Sequence, residues 1–395
     1  MFPKLRFKEF DGDLTESKLV ELTSWASGGT PAKDVPEYWG DDIPLISGAS
    51  MHTNQLYESD VKITKLGLQK GSKLAPKDSI LILVRGSMLF NKIPMGITLG
   101  DVAFNQDVKC IRPKQQLAPL FLFQWLHAKE NTIQNKVTAT GIGAGKLDTA
   151  DLQNLKLYKP SLEEQTKIAT FLSAVDEKIS QLTQKHQLLR EYKQGMMQKL
   201  FSQQVRFKAD DKSEFGEWEE KELKDIAEIN PKSKKLPESF IYIDLESVEK
   251  GKLLLQKNIE LQDAPSRAQR LLAKGDVLFQ MVRPYQQNNY YFNLSGEYVA
   301  STGYAQIRTK LDSKFIYYAL HEKTFLDEVM NRCTGTSYPA INSSDLSSIE
   351  ILIPCLEEQT KIANFLSAID QKIEVVAQQI EQAKTWKKGL LQQMF

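Results

Sequence analysis

The sequence of 395 residues has few cysteines, no long apolar run and almost no net charge. Its three cysteines are odd in number and scattered, which argues against a disulfide framework and favours a reducing compartment. The longest aliphatic run, Ile80 to Val84, is far shorter than the roughly 20 residues that cross a bilayer. No apolar stretch follows the basic residues near Met1, as it would in a signal peptide. We therefore expect a cytoplasmic protein without a membrane span.

Motifs for catalysis are also missing. The four histidines lie far apart and are not spaced with cysteines as metal ligands. The glycine cluster from Thr140 to Lys146 lacks the spacing and the following Ser or Thr of a phosphate-binding loop. Asn230-Pro231-Lys232-Ser233 lacks the second proline and the aromatic residue of an amino-methyltransferase loop. The sequence thus predicts a non-enzymatic protein with no metal or cofactor of its own.

The net charge of +1 conceals an uneven distribution of basic residues. Residues 61–100 contain seven Lys or Arg and one acidic residue, and residues 265–310 contain six Lys or Arg and two acidic residues. Basic segments attract phosphate whatever the total charge, because they release counterions from nucleic acid. One such segment in each half of the chain favours nucleic-acid binding at two places, although a solvated basic surface is the alternative.

An internal repeat is the strongest signal in the sequence. Residues 160–179 read PSLEEQTKIATFLSAVDEKI and residues 354–373 read PCLEEQTKIANFLSAIDQKI, with sixteen of twenty positions identical at an offset of 194. Upstream the similarity weakens, but Asp78 to Arg85 still resembles Asp276 to Arg283. The chain therefore reads head, helix, head, helix, with similar helices and diverged heads. This plan suggests one docking task performed twice and two different recognition tasks.

The repeated blocks predict two long helices. Ser161 and Glu164 form a capping box, in which Glu164 reaches back to the cap, whereas Cys355 should cap the second helix less well. Apolar residues recur with a 3.5-residue period, which is typical of a coiled coil, and each helix should reach roughly 50 Å. We expect the two helices to pair antiparallel as a rigid spacer. The predicted spacer residues are Ile168, Leu172, Val175, Ile179, Leu182, Leu189, Ile362, Leu366, Ile369, Ile373, Val376 and Ile380.

The predicted fold class is α+β, with two mixed globular heads separated by the two antiparallel helices in a pseudo-two-fold repeat. Strands are expected at Ile80 to Val84 and Ile349 to Ile353, and helices at Leu117 to Lys129 and Lys314 to Val329. The predicted domains are a first head at 1–159, a first helix at 160–204, a second head at 205–353 and a second helix at 354–395.

Candidate DNA contacts fall in the turn-rich parts of both heads. The run from Arg283 to Tyr291 contains Arg, Gln and Asn, which hydrogen-bond guanine and adenine edges in the major groove, although a solvated amide-rich hairpin is the alternative. In the first head the candidates are Arg85, Ser87, Asn91, Lys92, Asn105, Gln106 and Lys146. In the second head they are Arg283, Tyr285, Gln286, Gln287, Asn288, Asn289, Ser301, Thr302, Tyr304, Ser337 and Tyr338.

The duplicated Pro-x-Leu-Glu-Glu-Gln-Thr-Lys-Ile-Ala motif, followed by Phe-Leu and Asp-x-Lys-Ile, resembles the specificity subunit of type I restriction–modification systems. Ser27 to Pro31, Tyr38 to Gly40 and Ile43-Pro44 are similar to the start of that family's target-recognition domains. The resemblance implies two target-recognition domains, each reading half of a split double-stranded DNA target. It also implies two modification subunits that bind S-adenosylmethionine and methylate adenine, and restriction subunits that use ATP and Mg²⁺.

Two other functions are compatible with the residues alone. A coiled-coil scaffold whose heads bind proteins would show no salt-dependent DNA affinity, whereas a DNA reader should weaken steeply as salt rises. A self-sufficient methyltransferase would bind S-adenosylmethionine as the isolated chain.

Overall fold

The computed structural model describes residues 3–141, 143–232 and 235–395. Ile142 of the glycine cluster and Ser233 of the methyltransferase-like loop lie outside the described residues. The chain divides into two compact units, unit 1 with Met1–Thr183 and Gln378–Phe395, and unit 2 with Gln184–Ala377. Each unit combines one head with parts of both long helices, whereas the domain boundaries expected from the sequence follow chain order.

Unit 1 contains two larger sheets, two pairs of strands and several short helices. Its strands are β1 (Thr15–Lys18), β2 (Thr23–Ser27), β3 (Trp39–Ile46), β4 (Gln55–Leu56), β5 (Lys62–Ile63), β6 (Lys73–Ala75), β7 (Ile80–Leu83), β8 (Met95–Thr98), β9 (Val102–Phe104), β10 (Val108–Pro113), β11 (Thr138–Ala139), β12 (Gly145–Lys146) and β13 (Lys156–Lys159). Its helices are α1 (Leu19–Leu22), α2 (Lys65–Gly71), α3 (Pro119–Ala128), α4 (Glu130–Gln134), α5 (Thr149–Gln153) and the first part of α6 (Leu162–Phe201). The larger sheets have the orders β2-β10-β7-β8-β4 and β5-β3-β9-β6, and β1-β13 and β11-β12 form separate pairs.

Unit 2 repeats this arrangement. Its strands are β14 (Glu219–Glu222), β15 (Ala227–Ile229), β16 (Ser239–Ile243), β17 (Val248–Glu249), β18 (Lys252–Leu253), β19 (Lys257–Glu260), β20 (Ala268–Leu271), β21 (Val277–Gln280), β22 (Tyr290–Tyr291), β23 (Tyr298–Ser301), β24 (Tyr304–Thr309) and β25 (Glu350–Ile353). Its helices are α7 (Leu223–Ile226), α8 (Ser313–Ala319), α9 (Lys323–Arg332), α10 (Ser343–Ser347) and the first part of α11 (Leu356–Met394). The sheet β15-β24-β21-β22 matches β2-β10-β7-β8 in strand order, and β14-β25 matches β1-β13.

Most elements expected from the sequence are present, with one correction. The apolar strand expected at Ile80 to Val84 is β7, and all four of its residues are buried. The helix expected at Lys314 to Val329 is instead two helices, α8 and α9. It breaks because the Glu322 carboxylate accepts hydrogen bonds from the backbone N–H groups of Thr324 and Phe325, which starts a new helix.

The long helices pair antiparallel within each unit. In unit 1, Ile168 and Leu172 of α6 share a core with Leu390 and Met394 of α11. In unit 2, Leu200 of α6 shares a core with residues of α11 that include Ile362 and Leu366. In both units the residue numbers rise along one helix as they fall along the other. With 40 and 39 residues, the helices exceed the expected reach and extend about 60 Å each.

One lysine of each long helix forms an ion pair with an aspartate of the other helix. In unit 1, Nζ of Lys387 lies 2.5 Å from a carboxylate oxygen of Asp176. In unit 2, Nζ of Lys193 lies 2.6 Å from a carboxylate oxygen of Asp370. Both residues of each pair differ from those of the other pair by the repeat offset of 194. The two ion pairs therefore align α6 with α11 in the same register in both units.

Two equivalent clamps join each head to the helix that follows it. In unit 1, Arg6 donates from Nε and a terminal nitrogen to the buried carboxylate of Glu164, at 2.8 and 2.7 Å. In unit 2, Arg206 makes the same contact with Glu358, at 3.1 and 2.8 Å. The ring of Phe7 packs edge-on against Phe171, and Phe207 packs likewise against Phe365.

The glutamine next to each clamp also has the same role in both units. Gln165 accepts a hydrogen bond from the Ala118 N–H and donates to the carbonyl of Pro160. Gln359 accepts from the Asp312 N–H and donates to the carbonyl of Pro354. Both glutamines are buried, so their polar groups need these partners. The repeated Glu-Glu-Gln sequence thus forms the contact site for each head, which we call the socket: Glu164 and Gln165 in unit 1, and Glu358 and Gln359 in unit 2.

The predicted capping box is half correct. Oγ of Ser161 accepts a hydrogen bond from the Glu164 N–H at 3.2 Å, as expected. The Glu164 side chain does not reach back to the cap as predicted, because its carboxylate binds Arg6.

The difference between the two caps predicts a stabilising substitution. A thiol accepts hydrogen bonds weakly, so Cys355→Ser should raise the free energy of unfolding by about 0.5–1 kcal/mol. The reciprocal Ser161→Cys should lower it by a similar amount. Urea unfolding of both variants measures the effect, and equal midpoints for both variants would contradict this account of the cap.

Candidate nucleic-acid interface

Rim 1, which we define as Arg85, Ser87 and Lys146, forms where β7 ends in unit 1. Arg85 forms a β-bridge with Lys146, and the 3₁₀ turn Ser87–Phe90 follows directly. The Gly86 N–H donates to the carbonyl of Gly145 at 2.9 Å. A Cβ on Gly145 would lie 2.9 Å from the backbone oxygen of Gly86, so only glycine allows this approach. The glycine cluster therefore serves to bring Lys146 beside Arg85.

Asn105 and Gln106 lie in the loop that follows β9. Oδ1 of Asn105 accepts a hydrogen bond from the Asp107 N–H, and Oε1 of Gln106 accepts from the Thr30 hydroxyl at 2.7 Å. A carboxylate oxygen of Asp107 lies 3.7 Å from Arg85, which links this loop to rim 1. Asp107 and Thr30 were missed as site residues because neither follows a pattern that marks a contact.

The last two candidates of unit 1 come a few residues after Ser87 of rim 1. Asn91 and Lys92 are exposed and follow the 3₁₀ turn Ser87–Phe90.

Rim 2, which we define as Arg283, Tyr285, Ser337 and Tyr338, occupies the equivalent place in unit 2. Arg283 has a left-handed backbone with φ +54° and precedes the 3₁₀ turn Pro284–Gln286. Its N–H donates to the carbonyl of Pro339 at 2.7 Å. Its guanidinium carbon lies 4.2 Å from the centre of the Tyr338 ring. Tyr285 is 51% exposed and Tyr338 is 64% exposed, so both can meet a ligand.

The amide run that follows Arg283 is held by the buried side chain of Gln280. This side chain accepts from the Asn288 N–H and donates to Oε1 of Gln286, at 3.1 and 2.9 Å. The Gln280 N–H donates to Oδ1 of Asn289. Oδ1 of Asn288 accepts from the Lys250 N–H at 2.9 Å. Several of the amide groups expected to read bases therefore shape the loop itself, and Gln287 lies within it half-buried at φ +52°.

Three candidates in unit 2 have almost no exposed surface. Asn289, Ser301 and Tyr304 are 1%, 4% and 0% exposed. Tyr304 belongs to a core cluster, and Oγ of Ser301 accepts the Gly303 N–H. Burial leaves these side chains no area with which to touch a duplex, so they have no part in the proposal below. Thr302 is half-buried, and its N–H donates to the carbonyl of Arg267.

His321 is connected to this loop but was not singled out by the sequence. Its Nδ1 donates to the carbonyl of Tyr317 at 2.7 Å, which leaves Nε2 to accept from the Asn289 amide at 3.5 Å. The residue retains some exposed surface, yet its ring is crowded by protein atoms. Desolvation is the main cause that lowers the pKa of His321 to about 4; the charge of Lys193 acts in the same direction, and the Tyr317 carbonyl and Asp370 oppose the shift.

This histidine predicts a loss of stability in mild acid. The unfolded chain takes up a proton below pH 6.5, whereas the folded one resists protonation until about pH 4. Stability should therefore fall as pH drops through this window, by about 2 kcal/mol after allowance for the residual exposure. Urea unfolding at several pH values tests this. The variant His321→Asn, which retains a donor near the Nδ1 position, should show a flatter profile, and an equal slope would contradict the assignment.

Among the described residues, no group of His, Cys, Asp and Glu side chains is arranged to hold a metal ion. Within the same part of the chain, no helix combines the length and apolarity that a membrane span requires.

The fold and the two rims define a recognition protein built from a duplicated unit. The chain belongs to the family described as type I restriction modification DNA specificity domain, whose profile matches residues 12–190 and 216–385, and it is a specificity subunit with DNA target-recognition domains. Each match covers one copy of the repeat. As a recognition subunit of a type I restriction–modification complex, it differs from the catalytic components of such systems.

Individual relatives agree with this assignment. The MjaVIII specificity subunit of Methanocaldococcus jannaschii is 27% identical over 409 aligned positions, which cover 98% of this chain and 94% of that protein. The EcoR124I/EcoR124II specificity subunit of Escherichia coli is 29% identical over 182 positions, covering 46% and 45% of the two chains. The crystal structure of the S subunit from M. genitalium aligns with a TM-score of 0.63 at 17% identity, over 100% and 99% of the two chains. The fold class predicted from the sequence is thus confirmed.

Proposed function

We propose that this chain selects a split double-stranded DNA target, with the head of unit 1 reading one half-site and the head of unit 2 reading the other. The repeated placement of an arginine beside a 3₁₀ turn carries the proposal. In unit 1, Arg85 follows the buried strand β7 and lies beside Lys146, which comes after Thr140-Gly141. In unit 2, Arg283 follows the buried strand β21 and binds Pro339, which comes after Thr334-Gly335. A duplicated scaffold with such a rim in each copy is suited to two contacts with one duplex.

The two rims differ in the side chains that surround the arginine. Arg85 is followed two positions later by Ser87, whereas Arg283 is followed by Tyr285. Lys146 lies beside Arg85, whereas Tyr338 stacks under Arg283. Because base recognition depends on the identity and position of such groups, the two heads should select different half-sites.

The paired helices support a fixed gap between the half-sites. The Lys–Asp pairs link the two helices in a defined register, so the number of residues in α6 and α11 should determine the gap length. A two-fold-like reader places its half-sites about one helical turn, or about 10 base pairs, apart.

The proposal assigns catalysis to partner subunits. Two modification subunits, which bind S-adenosylmethionine, would dock near the long helices, and restriction subunits would supply the chemistry that uses ATP and Mg²⁺. Large apolar side chains on these helices support such docking, since Leu188, Tyr192, Val375 and Trp386 are each more than half exposed. This chain would bind none of the three small molecules or ions itself.

The proposal is tested by expressing this chain with its modification subunit and mapping methylated adenines in the host genome. We expect a split motif with a fixed gap that disappears when this chain is omitted. Replacing residues 205–353 with the second head of a related subunit should change one half of the motif and leave the other half and the gap intact.

Unchanged methylation would contradict the proposal, provided that the complex assembles and binds S-adenosylmethionine. In that case the scaffold function would take its place, and the heads should then show no affinity for DNA that falls with rising salt.

A further inference from the structure

We propose that Arg283 reads a guanine in the half-site of unit 2, and that the Tyr338 ring holds its guanidinium in position for this contact. The inference rests on the proposed function and adds the identity of one recognised base. It concerns only rim 2, because the arginine of rim 1 has different surroundings.

The backbone of Arg283 is fixed from both sides. Its left-handed conformation, φ +54° and ψ +54°, is uncommon for any residue other than glycine and is maintained only by its surroundings. The N–H of Arg283 binds the Pro339 carbonyl, and Pro284 behind it is buried. The side-chain amide of Gln280 donates to the carbonyl of Val282 at 2.8 Å. The loop thus presents this side chain from a defined origin.

The guanidinium itself is held as well. It lies 4.2 Å from the centre of the Tyr338 ring, a distance at which a cation is attracted to the face of an aromatic ring. Its Nε is buried and has no hydrogen-bond partner among the described residues. With Nε turned inward, the two terminal nitrogens form the outward edge. A planar fork held in this way matches two acceptors side by side, such as O6 and N7 of guanine.

The surroundings of Arg283 favour a base over a phosphate. Within the described part of the chain, no carboxylate lies within 4 Å of its guanidinium, and the other rim 2 residues are neutral. Arg85 provides the contrast, since its side chain is 57% exposed, lies 3.7 Å from Asp107 and has Lys146 as a bridged neighbour. Two exposed cations without a ring to orient them suit the phosphate backbone, where charge matters more than angle.

The experiment uses the assembled methyltransferase complex and duplexes that contain the target obtained from methylation mapping. Each guanine of the unit 2 half-site is replaced in turn by 7-deazaguanine, which lacks the N7 acceptor and still pairs with cytosine. We expect one such replacement to weaken binding by the wild-type complex about 10-fold or more. The same replacement should have little further effect on the Arg283→Ala complex, because the N7 contact is already absent.

Lysine substitutions supply the matched controls. Arg283→Lys retains the charge but loses the fork, so discrimination between guanine and the other bases at that position should fall about 10- to 100-fold. Arg85→Lys should lower affinity modestly and equally for all sequences, without altering preference in the unit 2 half-site. Thermal unfolding of each variant verifies that it is folded.

Tyr338 is tested as a positioning residue. Tyr338→Phe retains the ring and should retain guanine discrimination. Tyr338→Ala should reduce discrimination at the same base pair of the half-site at which Arg283→Lys reduces it. Loss in both variants would show that the hydroxyl, and not the ring face, is what matters.

The inference is overturned if 7-deazaguanine has the same effect on the wild-type and Arg283→Ala complexes at every position, or if Arg283→Lys retains full discrimination. A half-site of unit 2 that contains no guanine on either strand would also overturn it. In each of these results the split target still exists, so the proposed function survives. The absence of any split target would instead remove the proposed function.

Discussion

Replacing Arg206 with alanine is expected to lower the free energy of unfolding by about 3 kcal/mol, because it leaves the carboxylate of Glu358 buried without a cation. Glu358 is 0% exposed and accepts hydrogen bonds from Arg206 and from the indole N–H of Trp218. The hydrogen bonds to the Glu358 carboxylate raise the pKa of the Arg206 guanidinium, so Arg206 carries its charge throughout the pH range in which unfolding is measured. Urea unfolding measures the loss.

The double variant Arg206→Ala/Glu358→Leu distinguishes the net contribution of the ion pair from the cost of leaving Glu358 buried without a partner. Removing both charges should cost less than removing Arg206 alone, although Trp218 then loses its acceptor. Arg6→Ala is the matched substitution in unit 1, where Glu164 is 2% exposed, and a similar loss is expected there. A loss below about 1 kcal/mol for both single variants would show that the clamps contribute little.

A chain that ends at residue 204 is expected to form a symmetric dimer with a new target. Unit 1 is completed by residues 378–395 of α11, and residues 184–201 of α6 are their counterparts at the repeat offset. Met196 and Leu200 would take the places of Leu390 and Met394, and Lys193 would take the place of Lys387. A second copy of the shortened chain can therefore supply what unit 1 needs.

Light scattering should give twice the monomer mass for this shortened chain. With the modification subunit present, genome methylation should show a target made of two inverted copies of the unit 1 half-site. The variant Lys193→Asp should abolish the dimer by facing Asp176, and adding Asp176→Lys should restore it. A monomer that still directs methylation to the original split target would contradict both the equivalence of the helices and the separate reading of half-sites.

The helices and their pairing were predictable because the signal lies in local spacing. A period of 3.5 residues and a repeated block identify α6 and α11, and the order head, helix, head, helix predicts that they pair antiparallel, since each helix leaves its own head and returns toward the other. The strands β7 and β25 were predictable because short apolar runs bounded by turns have few other structures. The clamps were not predictable, because Arg6 and Glu164 are separated by 158 positions and only the tertiary structure brings them together.

The candidate site was predictable only in part. Arg85 and Lys146 were named separately, and the structure joins them by a β-bridge. Tyr304 and Asn289 were also named, yet Tyr304 lies in a core cluster and the buried Asn289 accepts a hydrogen bond from the Gln280 N–H. Polar and aromatic residues in a turn-rich segment alternate between a buried and an exposed face, and a few irregular residues suffice to shift that alternation. The sequence therefore locates the loop but does not show which of its side chains face outward.

The duplicated clamps also bear on how such proteins change over generations. The stretch that forms each socket is nearly the same at residues 160–179 and 354–373, and Arg6 and Arg206 insert into it in the same manner. A single genetic crossover within this stretch transfers an entire head together with its arginine, so the arginine–glutamate contact of the joint can form again. Under the proposed function, a lineage that carries this chain can therefore acquire a different half-site in one recombination event.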